Sequence, residues 1–244
     1  MDSGYYAACA GLRAQSEALD VAAHNLANLN TAGYRAQQAT FQSLVALAQP
    51  ATWNVLNLAT NNFGVLEGSH LDLSAGNLES TGNPLDLGLE GTGFFAVQTP
   101  RGTRYTRNGG FHVSQGGQLV TANGDPVLGE AGAISLPAGA VSVSADGTVS
   151  VNGAAAGKLR LVEFVPGAPL VSEGQTLVAA PDGSAQTARA TAVRPGTIEA
   201  SNVNAIGGVV TLIGVERQAE MMQRALATFY SEFNRIAAND LPHV

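Results

Sequence analysis

The side chains that most often carry out chemistry in proteins are few in this sequence and lie far apart along it. The sequence has four histidines, which are His24, His70, His112 and His243. None of them lies in an HExxH motif or beside a cysteine at the spacing of a metal site. Cys9 is the single cysteine, so no intramolecular disulfide can form. The sequence therefore predicts no metal centre, and His24 is interpreted as a polar packing residue on a helix.

A second chemical signal is the glycine-rich stretch Gly91-Thr-Gly-Phe-Phe-Ala96, whose letters fit a dinucleotide-binding fingerprint. That fingerprint needs a helix directly after its glycines, but Phe94–Gln98 is predicted to be a strand, which argues against a nucleotide site. No serine lies in a GxSxG motif, and Cys9 has no activating pattern near it. We predict no cofactor, no catalytic residue and no enzyme activity, while a triad assembled only in space stays an alternative.

Charge and composition exclude several kinds of partner. The net charge is −7, only 13% of the residues are charged, and the 12 lysines and arginines form no basic run. This pattern argues against binding to nucleic acid or to an anionic membrane surface. The amino terminus has no basic stretch followed by an apolar core, and the apolar run Val209–Val215 is too short to span a bilayer. We therefore expect no cleaved signal peptide and no direct membrane insertion.

The middle of the chain, from Leu71 to about Thr197, has the pattern of a β domain. Short apolar stretches predict strands at Leu85–Leu89, Phe94–Gln98, Thr103–Arg107, Gln118–Thr121, Val141–Ser144, Thr148–Val151 and Lys158–Phe164. Between them lie dipeptides suited to turns with positive φ, which are Asn108-Gly109, Asn123-Gly124, Asp146-Gly147, Asn152-Gly153 and Asp182-Gly183. The clearest hairpin is Val141–Val151, because apolar and polar residues alternate on both sides of its Asp-Gly.

Both ends of the chain are predicted to be helical. The first helix should run from about Ser3 to Asn28, with Asn30 and Gly33 as the left-handed positions that end it. Apolar spacing also predicts a helix over Tyr34–Leu47, which Pro50 should end.

The two terminal segments carry apolar residues in a heptad pattern, which is the a/d seam of a coiled coil. In the C-terminal segment the seam residues are Leu212, Val215, Ala219, Met222, Leu226, Phe229, Phe233 and Ile236. In the N-terminal segment they are Tyr5, Ala8, Leu12, Leu19, Ala22, Leu26 and Leu29, with Gln15 as the one interruption. The segments are predicted to pack on each other, although the same spacing equally suits an ordinary amphipathic helix on a globular core.

Because Gly207 and Gly208 each lower helix propensity by about 1 kcal/mol relative to Ala, the last helix is expected to begin near Val209 or to stay frayed before assembly.

These patterns together predict a mainly β protein with terminal α-helices, in which a central β domain is joined to a coiled-coil unit formed by the two chain ends. The expected divisions are residues 1–47 for an N-terminal helical segment, 48–70 for a linker or loop, 71–197 for the β domain and 198–244 for a C-terminal helical segment. A chain of 244 residues is long enough for this arrangement.

Several motifs resemble those of the bacterial flagellar rod and hook family and follow one another in that family's order. They are Ala23–Ala36 with its Asn-Leu-Ala-Asn and Thr-Ala-Gly-Tyr letters, Pro84–Val97, Tyr105–Phe111, Gly117–Thr121, Gly196–Val203, and Arg217 with Glu220 at the family's R-x-x-E positions. Two departures are His24 in place of the usual Asn and Ala205–Gly208 in place of an acidic helix start. Several motifs in one order are more specific than any one of them, and the resemblance covers almost the whole chain.

The resemblance implies a structural, non-enzymatic subunit of the basal-body rod that assembles with itself and with other rod subunits. Within the family the chain is most similar to proximal-rod members, and a distal-rod or hook-type axial subunit is the alternative. The resemblance also implies a place in the periplasm-spanning rod of the bacterial flagellum, with the terminal helices forming the inner tube. Export would use the flagellar export apparatus, without signal-peptide cleavage. A β-rich binding module that oligomerises through its helices stays a non-flagellar alternative.

Two sets of residues form the predicted functional site. The predicted assembly interface is Leu12, Leu19, Asn25, Leu26, Asn28, Leu29, Leu212, Val215, Met222, Leu226, Phe229 and Phe233. The predicted signature turn after the first helix is Thr31, Gly33 and Tyr34.

Overall fold

The structure is a computed structural model that describes residues 2–43, 64–174 and 176–240. The chain divides into two compact units. The helical unit comprises Met1–Leu26, Gln37–Ser69 and Ala205–Val244, and the β unit comprises Ala27–Ala36 and His70–Asn204. The expectation of a mainly β protein with a helix at each end is confirmed.

Two long helices dominate the helical unit, α1 over Asp2–Ala27 and α2 over Ala205–Asp240. They pack on each other, and the side-chain Nε2 of Gln15 donates a hydrogen bond of 3.0 Å to the backbone carbonyl of Val215. Gln15 is the residue that interrupts the apolar seam in the sequence. Its amide therefore makes a contact between the helices rather than a break in their packing.

The start of α2 corrects one expectation, which placed it near Val209. The helix begins at Ala205 and includes both Gly207 and Gly208. Glycine costs a helix mainly backbone conformational entropy, about 1 kcal/mol relative to Ala, and it keeps the backbone N–H of any other residue. Asn204 directly precedes the helix and is a residue type strongly preferred at the N-cap. The favourable start outweighs the low propensity of the two glycines.

The segment that follows the signature turn is a strand, where apolar spacing predicted a helix over Tyr34–Leu47. Strand β1 spans Gln37–Ser43 and pairs with β2, which spans Gly64–Leu71. The helix prediction is wrong for β1, because its threonine and phenylalanine favour a strand and the segment has no helix cap. Strand β2 also occupies part of the predicted linker 48–70. The rest of these two predictions, residues 44–63, lies outside the described residues.

The remaining strands of the described chain belong to the β unit. In chain order they are β3 (Leu78–Ser80), β4 (Leu87–Glu90), β5 (Phe94–Thr99), β6 (Gly102–Thr106), β7 (His112–Val113), β8 (Leu119–Val120), β9 (Leu128–Gly129), β10 (Gly132–Ala133), β11 (Val141–Val143), β12 (Thr148–Val151), β13 (Ala154–Lys158), β14 (Leu161–Phe164), β15 (Val171–Ser172), β16 (Leu177–Ala179), β17 (Ala185–Thr187), β18 (Ala192–Pro195) and β19 (Thr197–Glu199). The largest sheet has the antiparallel order β15-β16-β6-β5-β14-β17. Strand β19 pairs with β3, and β18 pairs with β4, so the end of the β unit returns to its first strands.

The predicted strands of the middle segment agree closely with the structure. The hairpin is confirmed, since β11 and β12 are antiparallel neighbours and Val141 pairs with Val151. The predicted strand Lys158–Phe164 is instead divided between β13 and β14, because Leu159 forms a bridge to Gly129 between them.

The predicted turn glycines follow expectation with one exception. Positive φ is found at Gly124, Gly147, Gly153 and Gly183. The φ of Gly109 is not positive, and the reason for glycine there is close approach, because a Cβ would overlap the backbone carbonyl of Leu87.

Strand β5 explains why the core of the β unit has two parts. Phe95 and Val97 belong to a large apolar cluster, whereas Phe94 and Ala96 belong to a second one. All four side chains are buried, so both faces of the strand are covered and its sequence shows no alternation. The predicted strand at Phe94–Gln98, on which the argument against a dinucleotide site depends, is confirmed.

Candidate assembly site

The signature turn lies in Ala27–Ala36, which we call the signature segment and which belongs to the β unit. Two successive turns shape it. The amide of Thr31 donates to the carbonyl of Asn28 at 3.1 Å, and the amide of Tyr34 donates to the carbonyl of Thr31 at 3.2 Å. The Thr31 hydroxyl also donates to Oδ1 of Asn28 at 3.2 Å. The predicted left-handed conformation at Asn30 is wrong, since its φ is not positive and these bonds turn the chain without it.

Gly33 has the positive φ that the sequence predicted, with a value of 68°. It does not cap α1, which ends six residues earlier at Ala27. Its amide donates a 2.7 Å hydrogen bond to the backbone carbonyl of Glu199. A Cβ on Gly33 would overlap the backbone nitrogen of Asn108 and the carbonyl carbon of Arg107. Glycine is therefore required both by the backbone conformation and by the close approach of another segment.

Tyr34 follows Gly33 and is buried, with 4% of its surface exposed. Burial raises the pKa of its phenol to about 12, because the charged phenolate is disfavoured away from water. The side chain is therefore neutral at physiological pH and anchors the signature segment in the β unit.

A buried ion cluster lies next to this anchor. Nη2 of Arg35 donates to Oε1 of Glu199 at 2.6 Å, and Nη1 of Arg107 donates to Oε2 of the same carboxylate at 3.1 Å. The backbone amide of Gly76 donates a third hydrogen bond, of 2.8 Å, to Oε1. The side chains of the three charged residues are at most 2% exposed. One carboxylate therefore joins a residue of the signature segment to two other parts of the β unit.

Arg107 is held from several sides. Its Nη2 donates a 2.6 Å hydrogen bond to the carbonyl of Gly91, and its guanidinium lies 5.0 Å from the centre of the Phe94 ring. Burial lowers the pKa of Arg107, the carboxylate of Glu199 opposes that shift, and the charge of Arg35 adds to it. The guanidinium stays protonated at neutral pH, because the ordinary pKa of arginine is far above 7.

The buried ion cluster contains more positive than negative charge. Two guanidinium groups share one carboxylate, so its net charge is positive, and burying charge away from water is costly unless it is paired. Within the described part of the chain, Nε and Nη1 of Arg35 and Nε of Arg107 have no hydrogen-bond partner. Removing Glu199 would leave two buried positive charges without their shared anion.

Asn202 holds the end of the signature segment. Its Oδ1 accepts a 2.7 Å hydrogen bond from the amide of Ala36, and its Nδ2 donates to the carbonyls of Asp72 and Ser74 at 3.0 and 3.1 Å. The amide of Asp72 donates to the carbonyl of Ala36 at 2.8 Å. Three segments that are distant in sequence therefore meet at one asparagine.

Asn25 has a corresponding role inside the helical unit. Its Nδ2 donates to the carbonyl of Gln37 at 2.7 Å, and the amide of Gln37 donates back to Oδ1 of Asn25 at 2.8 Å. This reciprocal pair imitates backbone pairing and binds the start of β1 to the last turn of α1.

The predicted interface residues on α1 and α2 are half-buried where the structure describes their side chains. On α2 the half-buried residues include Leu212, Val215, Ala219, Met222 and Leu226. On α1 the predicted Leu12, Leu19 and Leu26 are half-buried, as are Asn28 and Leu29 after it, while the buried residues are Gly11, Ala14, Gln15, Ala18 and Ala22. The side chains of Phe229 and Phe233 lie outside the described residues. Among the side chains of α1 that the structure describes, the buried face is thus made of small residues and Gln15, with the leucines beside it.

Sequence reasoning missed Arg35, Arg107, Glu199 and Asn202 as site residues. Each lies in a motif that the resemblance singled out, but no single motif contains both partners of these ion pairs and hydrogen bonds. A signal was available, because Arg35 and Arg107 are the only Asp, Glu, Lys or Arg residues of their motifs and Glu199 is the only one of a third. Opposite charges in otherwise uncharged motifs indicate a pairing in space.

Two further observations concern the described residues alone. They contain no group of three or more histidine, cysteine, aspartate or glutamate side chains that could hold a metal ion. No helix among them is long and apolar enough to cross a membrane.

Two family models match the chain. The model of the flagellar hook protein FlgE/F/G D1 domain matches residues 88–151, and that of the flagella basal body rod protein matches residues 6–35. The first match covers much of the β unit, and the second covers most of α1 and the signature segment up to Arg35.

Curated relatives match over nearly the full chain. The flagellar basal-body rod protein FlgF of Mesorhizobium japonicum is 34% identical over 225 residues, covering 90% of this chain and 90% of the relative. FlgF of Escherichia coli strain K12 is 32% identical, covering 93% of this chain and 94% of the relative. The flagellar basal-body rod protein FlgG of Borreliella burgdorferi is 29% identical, covering 91% and 93%. With this identity over almost their whole length, the chain belongs to the family of flagellar basal-body rod proteins.

Proposed function

We propose that the chain is a structural, non-enzymatic subunit of the flagellar basal-body rod, and that it assembles through its paired terminal helices. The predicted interface residues on α1 and α2 are the residues we assign to this assembly. The β unit supplies the anchored signature segment that follows α1.

The observation that carries the proposal is the pattern of exposure along α2. Between Val209 and Thr228 the half-buried residues are those of the predicted seam, and the others are exposed. A second apolar stripe lies outside the seam, where Ile206, Val210 and Ile213 are 79%, 65% and 45% exposed. These residues are four and three positions apart and so share one helix face. Exposed apolar stripes of this kind are typical of surfaces that a partner covers.

We further propose that the chain is the F-type, proximal-rod member of the family. The Pro126–Gly129 segment and Arg217–Met221 support this assignment, as does the similarity to the FlgF proteins of two organisms at 34% and 32% identity. The distal-rod position is the alternative, because the FlgG protein of Buchnera aphidicola subsp. Baizongia pistaciae is 32% identical as well.

The proposed partners are other rod subunits and further copies of this chain, together with the flagellar export apparatus that would deliver it. The proposed location is the periplasm-spanning rod, reached without cleavage of a signal peptide. Nucleic acid is not a proposed partner, since a net charge of −7 disfavours binding to phosphate backbones.

The proposal is tested by placing a charge in the seam. Leu226→Asp should stop incorporation into the rod, because a carboxylate at this half-buried position of the apolar seam loses its remaining contact with water when a partner covers the seam. Ala227→Asp is the matched control, since its side chain is exposed on the same turn of α2. Each variant is expressed in a strain that lacks the wild-type gene, and its content in purified basal bodies is measured with motility. Wild-type incorporation of Leu226→Asp would contradict assembly through the seam.

A further inference from the structure

The signature segment has an unusual place in the chain. It belongs to the β unit, whereas the residues on both sides of it, Met1–Leu26 and Gln37–Ser69, belong to the helical unit. The rest of the β unit does not begin until His70. The β unit therefore binds a ten-residue peptide that is joined to it only through residues of the other unit.

The backbone of this peptide is recognised by several hydrogen bonds to the β unit. The amide of Gly33 donates to the carbonyl of Glu199, and the carbonyl of Ala36 accepts from the amide of Asp72 at 2.8 Å. Oδ1 of Asn202 accepts from the amide of Ala36, and the amide of Asn202 donates to the carbonyl of Tyr34 at 3.4 Å. Because these bonds are made to the backbone of the peptide, they hold it in place whatever its side chains are.

Three consecutive side-chain positions add selectivity. Position 33 accepts only glycine, because Arg107 and Asn108 occupy the space of a Cβ. Position 34 buries a tyrosine, and position 35 places a guanidinium on the carboxylate of Glu199. We call the residues that contact the peptide, Asp72, Arg107, Asn108, Glu199 and Asn202, the acceptor site.

We propose that the acceptor site is a peptide-recognition site for a glycine–aromatic–arginine sequence, and that it binds this sequence from a second copy of the chain as well as from its own. None of the contacts requires the peptide to come from the same chain, and exchange of an identical element between protomers keeps every contact. The proposal is independent of the function in the rod, since it concerns the β unit alone.

The test uses the full chain with Arg35→Glu as the acceptor, because a second carboxylate beside Glu199 displaces the chain's own segment by repulsion. A fluorescently labelled peptide of residues 27–36 with the natural sequence is the probe, and its anisotropy is measured on titration. We expect saturable binding at least about tenfold tighter than to the wild-type chain, whose own tethered segment competes at high effective concentration. Peptides that carry Gly33→Val or Arg35→Glu should not bind.

Two controls keep the outcome clear. The double variant Arg35→Glu/Glu199→Gln should lose the peptide, because the anion that recognises arginine is gone. If the Arg35→Glu chain does not fold, the Arg35→Ala chain is used as the acceptor. If the Arg35→Ala chain does not fold either, it is refolded with excess peptide, which must restore the near-ultraviolet circular dichroism of the wild type. Equal binding to the Arg35→Glu and wild-type chains, binding that Glu199→Gln leaves unchanged, or refolding that the peptide does not assist would each overturn the proposal.

Discussion

Arg35 and Glu199 are 164 residues apart in the sequence, yet Nη2 of Arg35 lies 2.6 Å from Oε1 of Glu199 and both side chains are buried. Arg35 comes eight residues after α1, and Glu199 comes six residues before α2. The pair therefore joins the two stretches through which the terminal helices connect to the β unit. Because Glu199 also binds Arg107, the same carboxylate ties both stretches to the core.

The first prediction concerns the shared carboxylate. Glu199→Ala should lower the free energy of unfolding of the β unit by about 3–5 kcal/mol, because it leaves buried guanidinium groups without their anion. The measurement is urea denaturation followed by circular dichroism. Glu90→Ala is the control, since the pair of Glu90 with Arg194 is more than half exposed and should contribute at most about 1 kcal/mol. If Glu199→Ala and Glu90→Ala lower the free energy of unfolding equally, burial does not increase the contribution of the Glu199 carboxylate.

A second prediction separates backbone strain from close approach. Gly33 and Gly82 have similar φ values of 68° and 74°, but a Cβ on Gly82 would have no heavy atom within 4 Å. Gly82→Val should therefore cost only the strain of positive φ, about 1–3 kcal/mol. Gly33→Val should cost at least about 2 kcal/mol more, since the segment must also move away from Arg107 and Asn108. The melting temperatures of Gly33→Val and Gly82→Val test this, and similar values would show that close packing around Gly33 adds no cost beyond the strain of positive φ.

The third prediction concerns pH. The pKa of Tyr34 is raised from its ordinary value near 10 to about 12 in the folded chain, so the unfolded chain releases this proton first. The stabilisation is complete below pH 10 and is lost as the pH rises from 10 to 12. Tyr34→Phe, which cannot ionise, should lose less stability than the wild type over that interval. Unfolding free energies of both proteins at pH 9 and pH 11.5 test this, and parallel losses would show that Tyr34 does not titrate as described.

A fourth prediction concerns the bounds of the β fragment. The division drawn from the sequence, residues 71–197, leaves Glu199 outside, whereas the β unit extends to Asn204 and includes Ala27–Ala36. A fragment of residues 70–204 should therefore be more stable than one of residues 71–197, in which Arg107 is buried without its carboxylate. Limited proteolysis of the full chain should likewise leave a fragment that retains Glu199. Equal stability of the two fragments would show that the pair of Arg107 with Glu199 does not stabilise the isolated β fragment.

The strands and terminal helices could be predicted because their signals are local. The alternation around Asp146-Gly147 and the heptad spacing on α2 depend on near neighbours in the sequence. The same locality explains the errors. Nothing near Tyr34–Leu47 reveals that β1 pairs with β2, since a strand partner is a long-range property.

The candidate site was only partly accessible to sequence reasoning. The positive φ of Gly33 could be predicted from its place after a helix, but the overlap with Asn108 could not, because it depends on tertiary packing. Glu199 was recognised as part of a motif, yet its two arginine partners lie 164 and 92 residues away. Pairing at such distances is fixed by the fold of the β unit and not by any spacing in the sequence.

The central claim is that α1 and α2 carry the assembly of this rod subunit. Its most direct test is a cryo-electron microscopy map of the assembled rod that resolves individual side chains. The account predicts that Ile206, Val210 and Ile213 of α2 are covered by a helix of a neighbouring subunit. A map in which these residues face solvent, while neighbouring subunits touch only through their β units, would contradict it.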